Sequence, residues 1–202
     1  MDLVDDAELA RSSVVANRAM NRTRDLTGRD GYAAVLGFDI AGHQPRRWLD
    51  LCCGSGRALI EAAPLVPEIT GVDLVGFFAG PVPPNVTLIA ASAGEWQPDA
   101  DFDLITCVHG LHYVGDKLGL LEKASRWLTP GGVLVANLDA QSIRPMGPKV
   151  LRQNGVHYDG RNKRIRITGP VGFGLRYLGA DKDAGPNYTG QPAVHSYYGV
   201  QG

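Results

Sequence analysis

The sequence predicts an α/β fold: a doubly wound, mostly parallel sheet with helices on both faces and an antiparallel hairpin near the C-terminal end. Three observations carry this. Trp48-Leu49-Asp50-Leu51-Cys52-Cys53 is apolar except for Asp50, as a strand covered on both faces must be. It runs through Gly54-Ser55-Gly56 into residues 57–63, whose apolar positions recur at helical spacing. Glu68-Ile69-Thr70-Gly71-Val72-Asp73-Leu74 gives a second short strand that also closes on an acid. Nearer the other end, Arg164, Ile165, Arg166 and Ile167 alternate polar with apolar behind the turn dipeptide Asp159-Gly160.

Taken in order, residues 5–20 read as a helix. Asp5, Asp6 and Glu8 suit its N-terminal dipole, and Ala7, Ala10, Val14 and Val15 make a weak apolar stripe. Residues 21–31 form a polar loop punctuated by Gly28 and Gly31, and Tyr32 to Leu36 a short helix. Residues 75–84 hold two glycines and three prolines, which leaves room for at most one helical turn before a third strand at Asn85 to Ala91. Asp116 to Leu128 is the best helix. Leu118, Leu121, Ala124, Trp127 and Leu128 follow three-to-four spacing, and Pro130-Gly131 stops it before a strand over residues 132–138. Residues 142–154 read as a helix interrupted near Pro145 and Pro148, and 156–168 as the hairpin, its basic positions Arg161, Lys163, Arg164 and Arg166 forming a solvated face. From Gly169 onward the chain is rich in glycine, proline and tyrosine. That composition argues against a helix, and the tyrosines argue against plain disorder.

The turn after the first strand bears on function. Gly54 and Gly56 let the backbone turn tightly and approach a ligand at a helix N-terminus, which is a seat for a nucleotide-like cofactor. A dinucleotide fingerprint needs a further glycine three residues after the second, and Leu59 stands there. Leu-Asp-Leu-Cys-Cys-Gly-Ser-Gly instead resembles motif I of the class I S-adenosylmethionine-dependent methyltransferases. Asp101-Phe102-Asp103-Leu104-Ile105-Thr106-Cys107-Val108-His109-Gly110-Leu111-His112-Tyr113 resembles that family's fourth strand and the segment after it. Leu128-Thr129-Pro130-Gly131-Gly132-Val133-Leu134-Val135 resembles its turn into strand five. The resemblance covers roughly residues 45–140. It implies a Rossmann-like fold and S-adenosylmethionine as cofactor, with S-adenosylhomocysteine as product.

In that family the strand acid helps hold the cofactor's amino group, the place of Asp50, and an acid ending the second strand holds the ribose hydroxyls, the place of Asp73, 17 positions after Gly56. The expected cofactor-binding residues are Asp50, Cys52, Gly54, Gly56, Asp73, Leu74, Ser92, Ala93 and Cys107. Ser92-Ala93 stands where the family usually has an acid-containing Asp-Ala pair against the adenine amino group, and Trp96 either packs on the adenine or fills the core. The family also places an N-terminal segment over cofactor and substrate, so Arg22, Arg24 or Tyr32 is read as reaching the cofactor or an anionic substrate, against a simple solvated loop.

Methyl transfer is an in-line displacement in which proximity alone can supply about 7–11 kcal/mol. A base is needed only if the nucleophile's proton must leave, and histidine, with an ordinary pKa of about 6.5, suits that task. The candidate catalytic residues are therefore His109 and His112, with Tyr113 and Tyr188 as substrate-binding residues. Acceptor specificity also needs walls, and residues 173–198 are expected to fold back on the carboxyl ends of the strands, or onto a partner subunit, to supply them, against a structural wrap that covers the outer sheet face far from the cofactor.

The chain of 202 residues is expected to hold residues 1–44 as an N-terminal helical cap and 45–202 as the cofactor-binding domain. A net charge of −1 gives no field to recruit nucleic acid or an anionic membrane, and no apolar run approaches the ~20 residues of a membrane span. The first six residues lack a secretory pattern. The three cysteines all fall in expected core strands, which suits a reducing cytoplasm, and no metal-ligand spacing is present. The expectation is a cytoplasmic enzyme, monomer or homodimer, that methylates an oxygen or nitrogen of a small molecule, possible specialised metabolites included, with no nucleic-acid or membrane partner. The alternatives weighed are a methyltransferase-fold protein that binds S-adenosylmethionine but does a pericyclase-like, non-methylating reaction or serves as a scaffold, and a nicotinamide oxidoreductase, which Leu59 disfavours.

Overall fold

The structure, a computed structural model, describes residues 2–16 and 23–200. Its helices are α1 (Asp6–Arg11), α2 (Ser13–Ala16), α3 (Tyr32–Leu36), α4 (Ile40–His43), α5 (Arg57–Ala62), α6 (Lys117–Ser125) and α7 (Pro148–Gln153). Its strands are β1 (Arg47–Leu51), β2 (Glu68–Asp73), β3 (Val86–Ala90), β4 (Phe102–Cys107), β5 (Leu128–Asn137), β6 (Ile143–Arg144), β7 (His157–Asp159), β8 (Arg164–Ile167), β9 (Leu175–Asp181) and β10 (His195–Val200).

Seven strands form one sheet in the order β3-β2-β1-β4-β5-β8-β7. The first five are parallel, and the β7–β8 hairpin adds antiparallel to β5. Strand order reverses between β1 and β4, and in open α/β sheets ligands bind at the carboxyl ends of the strands beside such a reversal. The two-residue period of the strands sorts the core into two layers. Trp48, Ile69, Leu104 and Val133 face Tyr32, Leu36, Ile40 and Leu59 of the first helices. Leu49, Val72, Ile105 and Leu134 face Leu118 and Leu121 of α6 and Leu151 of α7. The sheet is thus covered on both faces, and the Rossmann-like fold stands.

Several elements depart from the sequence expectation. The N-terminal helix is broken at Ser12, whose hydroxyl and N–H both reach back to the Leu9 carbonyl, and its expected last residues lie outside the described ones. No helix forms between β2 and β3, as the glycines and prolines there require. The helix expected over 142–154 survives only as α7, with Pro148 at its first turn. The residues before it form a short 3-10 turn and β6.

The basic hairpin face is not simply solvated. Arg164 donates to the carbonyls of Val35 (2.8 Å) and Ala34 (2.7 Å) at the end of α3, Lys163 pairs with Asp139 at 3.1 Å, and Arg166 lies over the Phe38 ring. The largest departure is at the C-terminal end, where β9 and β10 pair antiparallel and β6 joins β10 to make a second sheet of three strands. Both α1 and this sheet contribute to one small core of Val4, Leu9, Val15, Ala180 and Val194.

Candidate active site

The site is built at the carboxyl ends of β1, β2 and β4. After β1 the backbone turns through positive φ at Cys52 (59°), Gly54 (61°) and Gly56 (72°) before α5 begins. The Gly54 N–H donates to Asp73 Oδ2 at 2.9 Å, and the Val75 N–H donates to Asp73 Oδ1 at 3.0 Å. Asp73 is buried and therefore fixes the glycine turn to the end of β2 while lining a cleft. After β4 the chain passes through His109, itself at φ 55°, into a 3-10 turn from Gly110 to Tyr113. A Cβ on Gly110 would come within 2.3 Å of Cys52 Cβ and 2.8 Å of Cys107 Sγ, so only glycine lets this turn pack against the β1 turn.

Two open clefts meet there, sharing Cys52, Gly110 and Tyr113. The first, of about 610 Å³, is bounded by Asp73, Leu74, Ser92, Ala93 and Gly94 below, and by Asp6, Leu9, Ala10 and Val15 of α1 and α2 above. The second, of about 1190 Å³, is bounded by Arg24, Tyr32, Cys53, Gly54, Val108, His109, Thr189 and Gln191.

Of the expected cofactor residues, Cys52, Gly54, Asp73, Leu74, Ser92 and Ala93 line these clefts. Asp50, Gly56 and Cys107 stand behind the lining. Asp50 is fully buried and accepts hydrogen bonds from Tyr32 Oη (2.7 Å) and Thr106 Oγ1 (2.5 Å), and Thr106 Oγ1 in turn accepts from the Trp48 indole at 2.8 Å. Burial pushes the Asp50 carboxyl up to about 7, against the two hydroxyl donors. Gly56 faces the core, and a Cβ there would meet the Leu88 methyls at 2.8 and 2.9 Å. Cys107 is buried, and its thiol is raised by its contact with Cys52 and by burial. Trp96 packs edge-on against Trp127 at 5.8 Å, so it belongs to the core and not to a cleft.

The candidate catalytic and substrate residues are brought together. His109, His112, Tyr113 and Tyr188 form one aromatic group, with His109 5.6 Å from His112 and His112 5.4 Å from Tyr188 between ring centroids. The Tyr188 hydroxyl lies 3.4 Å from His109 Nδ1. His109 lines the second cleft, whereas His112 is 1% exposed and lines neither. Tyr188 arrives on a small hairpin inside the β9–β10 connection. Pro186 bridges Pro192, Asn187 N–H donates to the Gln191 carbonyl, and Asn187 Oδ1 accepts from Thr189 N–H and Oγ1. The C-terminal stretch thus divides into two parts. Its strands are scaffold, and its connection forms cleft wall.

Sequence reasoning missed the residue that joins scaffold to site. Lys117, in the first turn of α6, has no exposed surface, and its Nζ donates to the carbonyls of Val114 (3.0 Å) and Val194 (3.0 Å) and to Ser196 Oγ (2.8 Å). Burial pulls its ammonium down to about 7, with Asp6 and Asp116 opposing. The Val194 N–H donates to the His112 carbonyl at 2.9 Å, so Lys117 ties β10 to the histidine turn. A lysine one position before an apolar helical stripe gives no sign of burial in the sequence. Arg22, also considered at the sequence level, lies outside the described residues.

Comparison with known proteins agrees with this geometry. A demethylmenaquinone methyltransferase of Deinococcus radiodurans is 32% identical over 133 residues, covering 57% of this chain and 52% of that protein. One of Staphylococcus aureus is 33% identical over 118 residues, covering 54% and 49%. The chain spans about half the length of the curated relatives it matches. Among solved structures, the N-methyltransferase NodS of Bradyrhizobium japonicum, in complex with S-adenosyl-L-homocysteine, superposes with a TM-score of 0.52 at 17% identity, covering 83% of this chain and 93% of that one, a likeness of fold. The family model of a methyltransferase domain matches residues 21–168, and the chain belongs to that methyltransferase domain family.

Proposed function

We infer that the protein transfers a methyl group from S-adenosylmethionine to an oxygen or nitrogen of a small-molecule acceptor. The observation that carries this reading is the meeting of the two clefts at Cys52, Gly110 and Tyr113, with a ribose-suited acid on one side and a histidine rim on the other. The first cleft suits the nucleoside: Asp73, fixed by the N–H groups of Gly54 and Val75, lines it with a carboxylate, and Ser92 and Ala93 lie where an adenine edge would end. The turn at Gly54 leaves room for the amino-acid part. The bound cofactor would supply an electrophilic methyl on a sulfonium.

The chain's own residues then position and deprotonate. His109 is the group placed to accept the acceptor's proton, since its ring edges the second cleft. Tyr188 holds its Nδ1, and His112 and Tyr113 fill the space behind. Asp50, Gly56 and Cys107 support the seat from below. The acceptor enters between Tyr113 and the small hairpin that carries Tyr188, Thr189 and Gln191. The relatives' names, demethylmenaquinone methyltransferases, support a small-molecule acceptor. No described helix is long and apolar enough to cross a membrane. The reading is completed by a cytoplasmic monomer or homodimer that needs no nucleic acid.

Calorimetric titration with S-adenosylmethionine, S-adenosylhomocysteine and NAD tests it. The first two bind and NAD does not. A protein that takes up NAD and neither sulfur ligand sinks the proposal.

A further inference from the structure

The three cysteines are not equivalent. Cys52 is half-buried and lies where the two clefts meet, whereas Cys53 and Cys107 are buried. Cys52 also stands at φ 59°, in the left-handed region where a Cβ crowds the backbone and glycine is the easier residue. Its thiol is therefore held at the junction against a conformational cost, and strain of that kind collects at functional positions.

Cys107 lies beside it. Asp50 and Thr106 are partners in the parallel pairing of β1 and β4, and Cys52 and Cys107 follow that pair by two positions and one. Adjacent strands run about 4.8 Å apart, within the Cα separations of about 4.4–6.8 Å that a disulfide spans. Cys52 and Cys107 belong to the same core layer, the one packed on α6, whereas Cys53 belongs to the opposite layer. A Cβ on Gly110 would sit 2.9 Å from Cys52 Sγ and 2.8 Å from Cys107 Sγ, so both sulfurs border one small space that the glycine leaves free of a side chain. The Cys107 thiol is held protonated, first by its hydrogen bond with Cys52 and then by burial, and it lines neither cleft. An oxidant entering the clefts meets Cys52 first.

We propose that Cys52 is a site of oxidation by a hydroperoxide, and that Cys107 converts it to a disulfide that closes the cofactor seat. The Cys52 thiol takes one oxygen from the peroxide, whose O–O bond breaks to leave an alcohol, or water from hydrogen peroxide, and the sulfur becomes a sulfenic acid. The Cys107 sulfur then displaces that hydroxyl, its own proton leaves with it as water, and the S–S bond forms. The two thiols have lost two electrons and two protons, and the peroxide has taken them up. A dithiol reverses the change. The bond draws the Cys52 sulfur from the junction towards the core, and the β1 turn and Gly110, packed against both sulfurs, move with it. A ligand seated at the junction covers Cys52 in turn, so cofactor and peroxide compete. That consequence rests on the methyltransferase reading above; the bond itself does not.

Reduced wild type, Cys107→Ala and Cys53→Ala are treated with hydrogen peroxide, with and without saturating S-adenosylhomocysteine. Peptide mapping without reductant reads the bonds, and calorimetry reads S-adenosylhomocysteine affinity. Wild type and Cys53→Ala are expected to form an intramolecular Cys52–Cys107 bond, more slowly when the ligand is present. Oxidised wild type is expected to bind S-adenosylhomocysteine about tenfold more weakly than the reduced protein, to keep a cooperative melting transition and to recover with dithiothreitol. Cys107→Ala stops at a sulfenic acid on Cys52, which dimedone traps. The proposal is overturned by the absence of a bond between these two sulfurs, by a Cys52–Cys53 bond in its place, by bond formation that the ligand does not slow, or by an oxidised protein that binds as the reduced one does. Loss of the melting transition on oxidation also overturns it, since the lost affinity is then damage. A reduced wild type that binds no S-adenosylhomocysteine removes the methyltransferase reading instead, and peptide mapping still decides the bond.

Discussion

The floor and the walls of the site are built on different scales. The floor is local: β1, its glycine turn and the end of β2 meet through Asp73, which bonds Gly54 and Val75 within 20 residues of itself. The walls are remote. Tyr177 donates to Asp6 at 3.0 Å across 171 positions, and Tyr188 meets His109 across 79. A floor of this kind fixes which cofactor is held and does so with backbone geometry. In the proposed function the walls decide what else enters, and they hang on a few long-range polar contacts.

Changes at four places, the rim, the wall, the floor and the latch of α1, sharpen or break this division. The largest effect is expected at the rim. His109→Ala should lower kcat by about 10²–10⁴-fold, as loss of a general base does. The base must be neutral, so wild-type rate under saturating substrate falls as falling pH protonates it, and the variant lacks that limb. A His109→Ala enzyme with wild-type rate and pH profile would show that transfer runs on proximity alone. His112→Ala, whose residue lines no cleft, should leave the limb in place.

The wall is tested next. Replacing residues 187–191 by a two-glycine link removes Tyr188, Thr189 and Gln191 but leaves β9 and β10. A misplaced acceptor costs about a hundredfold in kcat/KM, and cofactor affinity stays within twofold. This is a cleaner cut than truncation after Leu178, which splits β9 and removes the partner of Lys117. Loss of cofactor affinity in the shortened loop would merge wall and floor.

On the floor, Asp73→Ala should cost about 1.5–3 kcal/mol of cofactor affinity, the range for hydrogen bonds to a charged group. A dissociation constant unchanged within twofold counts against the ribose role. Gly56→Val is less informative than Asp73→Ala, because its side chain would strike Leu88 before any ligand.

The smallest effect is on the latch of α1. Asp6 is raised by burial first, with Tyr177 opposing and Asp116 adding. A raised native pKa means the folded state holds its proton more firmly than the unfolded chain, so this group's contribution is full below pH 3.8 and is lost as pH rises through the native value. Asp6→Asn should therefore flatten the melting temperature slightly between pH 4 and 7. A variant that follows the wild-type curve removes Asp6 from the latch.

What could be read from the sequence follows the same division. β1, the glycine turn, Asp73 and the His109–Tyr113 turn lie within short segments whose pattern and chemistry coincide. The absent helix after β2 was equally plain from its prolines. The second sheet was not. β9 and β10 are seven and six residues long and carry glycine and tyrosine, β6 has only two residues, and their pairing is settled by α1 and α6, which no local window contains. Ser196 and Tyr198 are buried while His195, Tyr197 and Gly199 are partly open, a period of two that the residue types His-Ser-Tyr-Tyr-Gly do not show. Lys117 was invisible because its partners are the carbonyls of Val114 and Val194 and the hydroxyl of Ser196, and carbonyls carry no sequence signature.

The bridge between Val4 and Ala180, two bonds of 2.9 Å each, has a consequence for the order in which the molecule assembles. Contacts that close so long a loop form late and open early, because closure entropy must be met before they contribute. The parallel strands from β1 to β5 close shorter loops, the longest the 56 positions from Trp48 to Leu104, and can hold a glycine turn before the roof exists. Amide hydrogen exchange should therefore find Val4 and Ala180 exchanging together and ahead of Leu49 or Ile105. Ligand in the first cleft should slow that pair most, since Asp6, Leu9 and Val15 lie over it. The molecule would then breathe at its seam, taking in and releasing its cofactor without disturbing the sheet beneath.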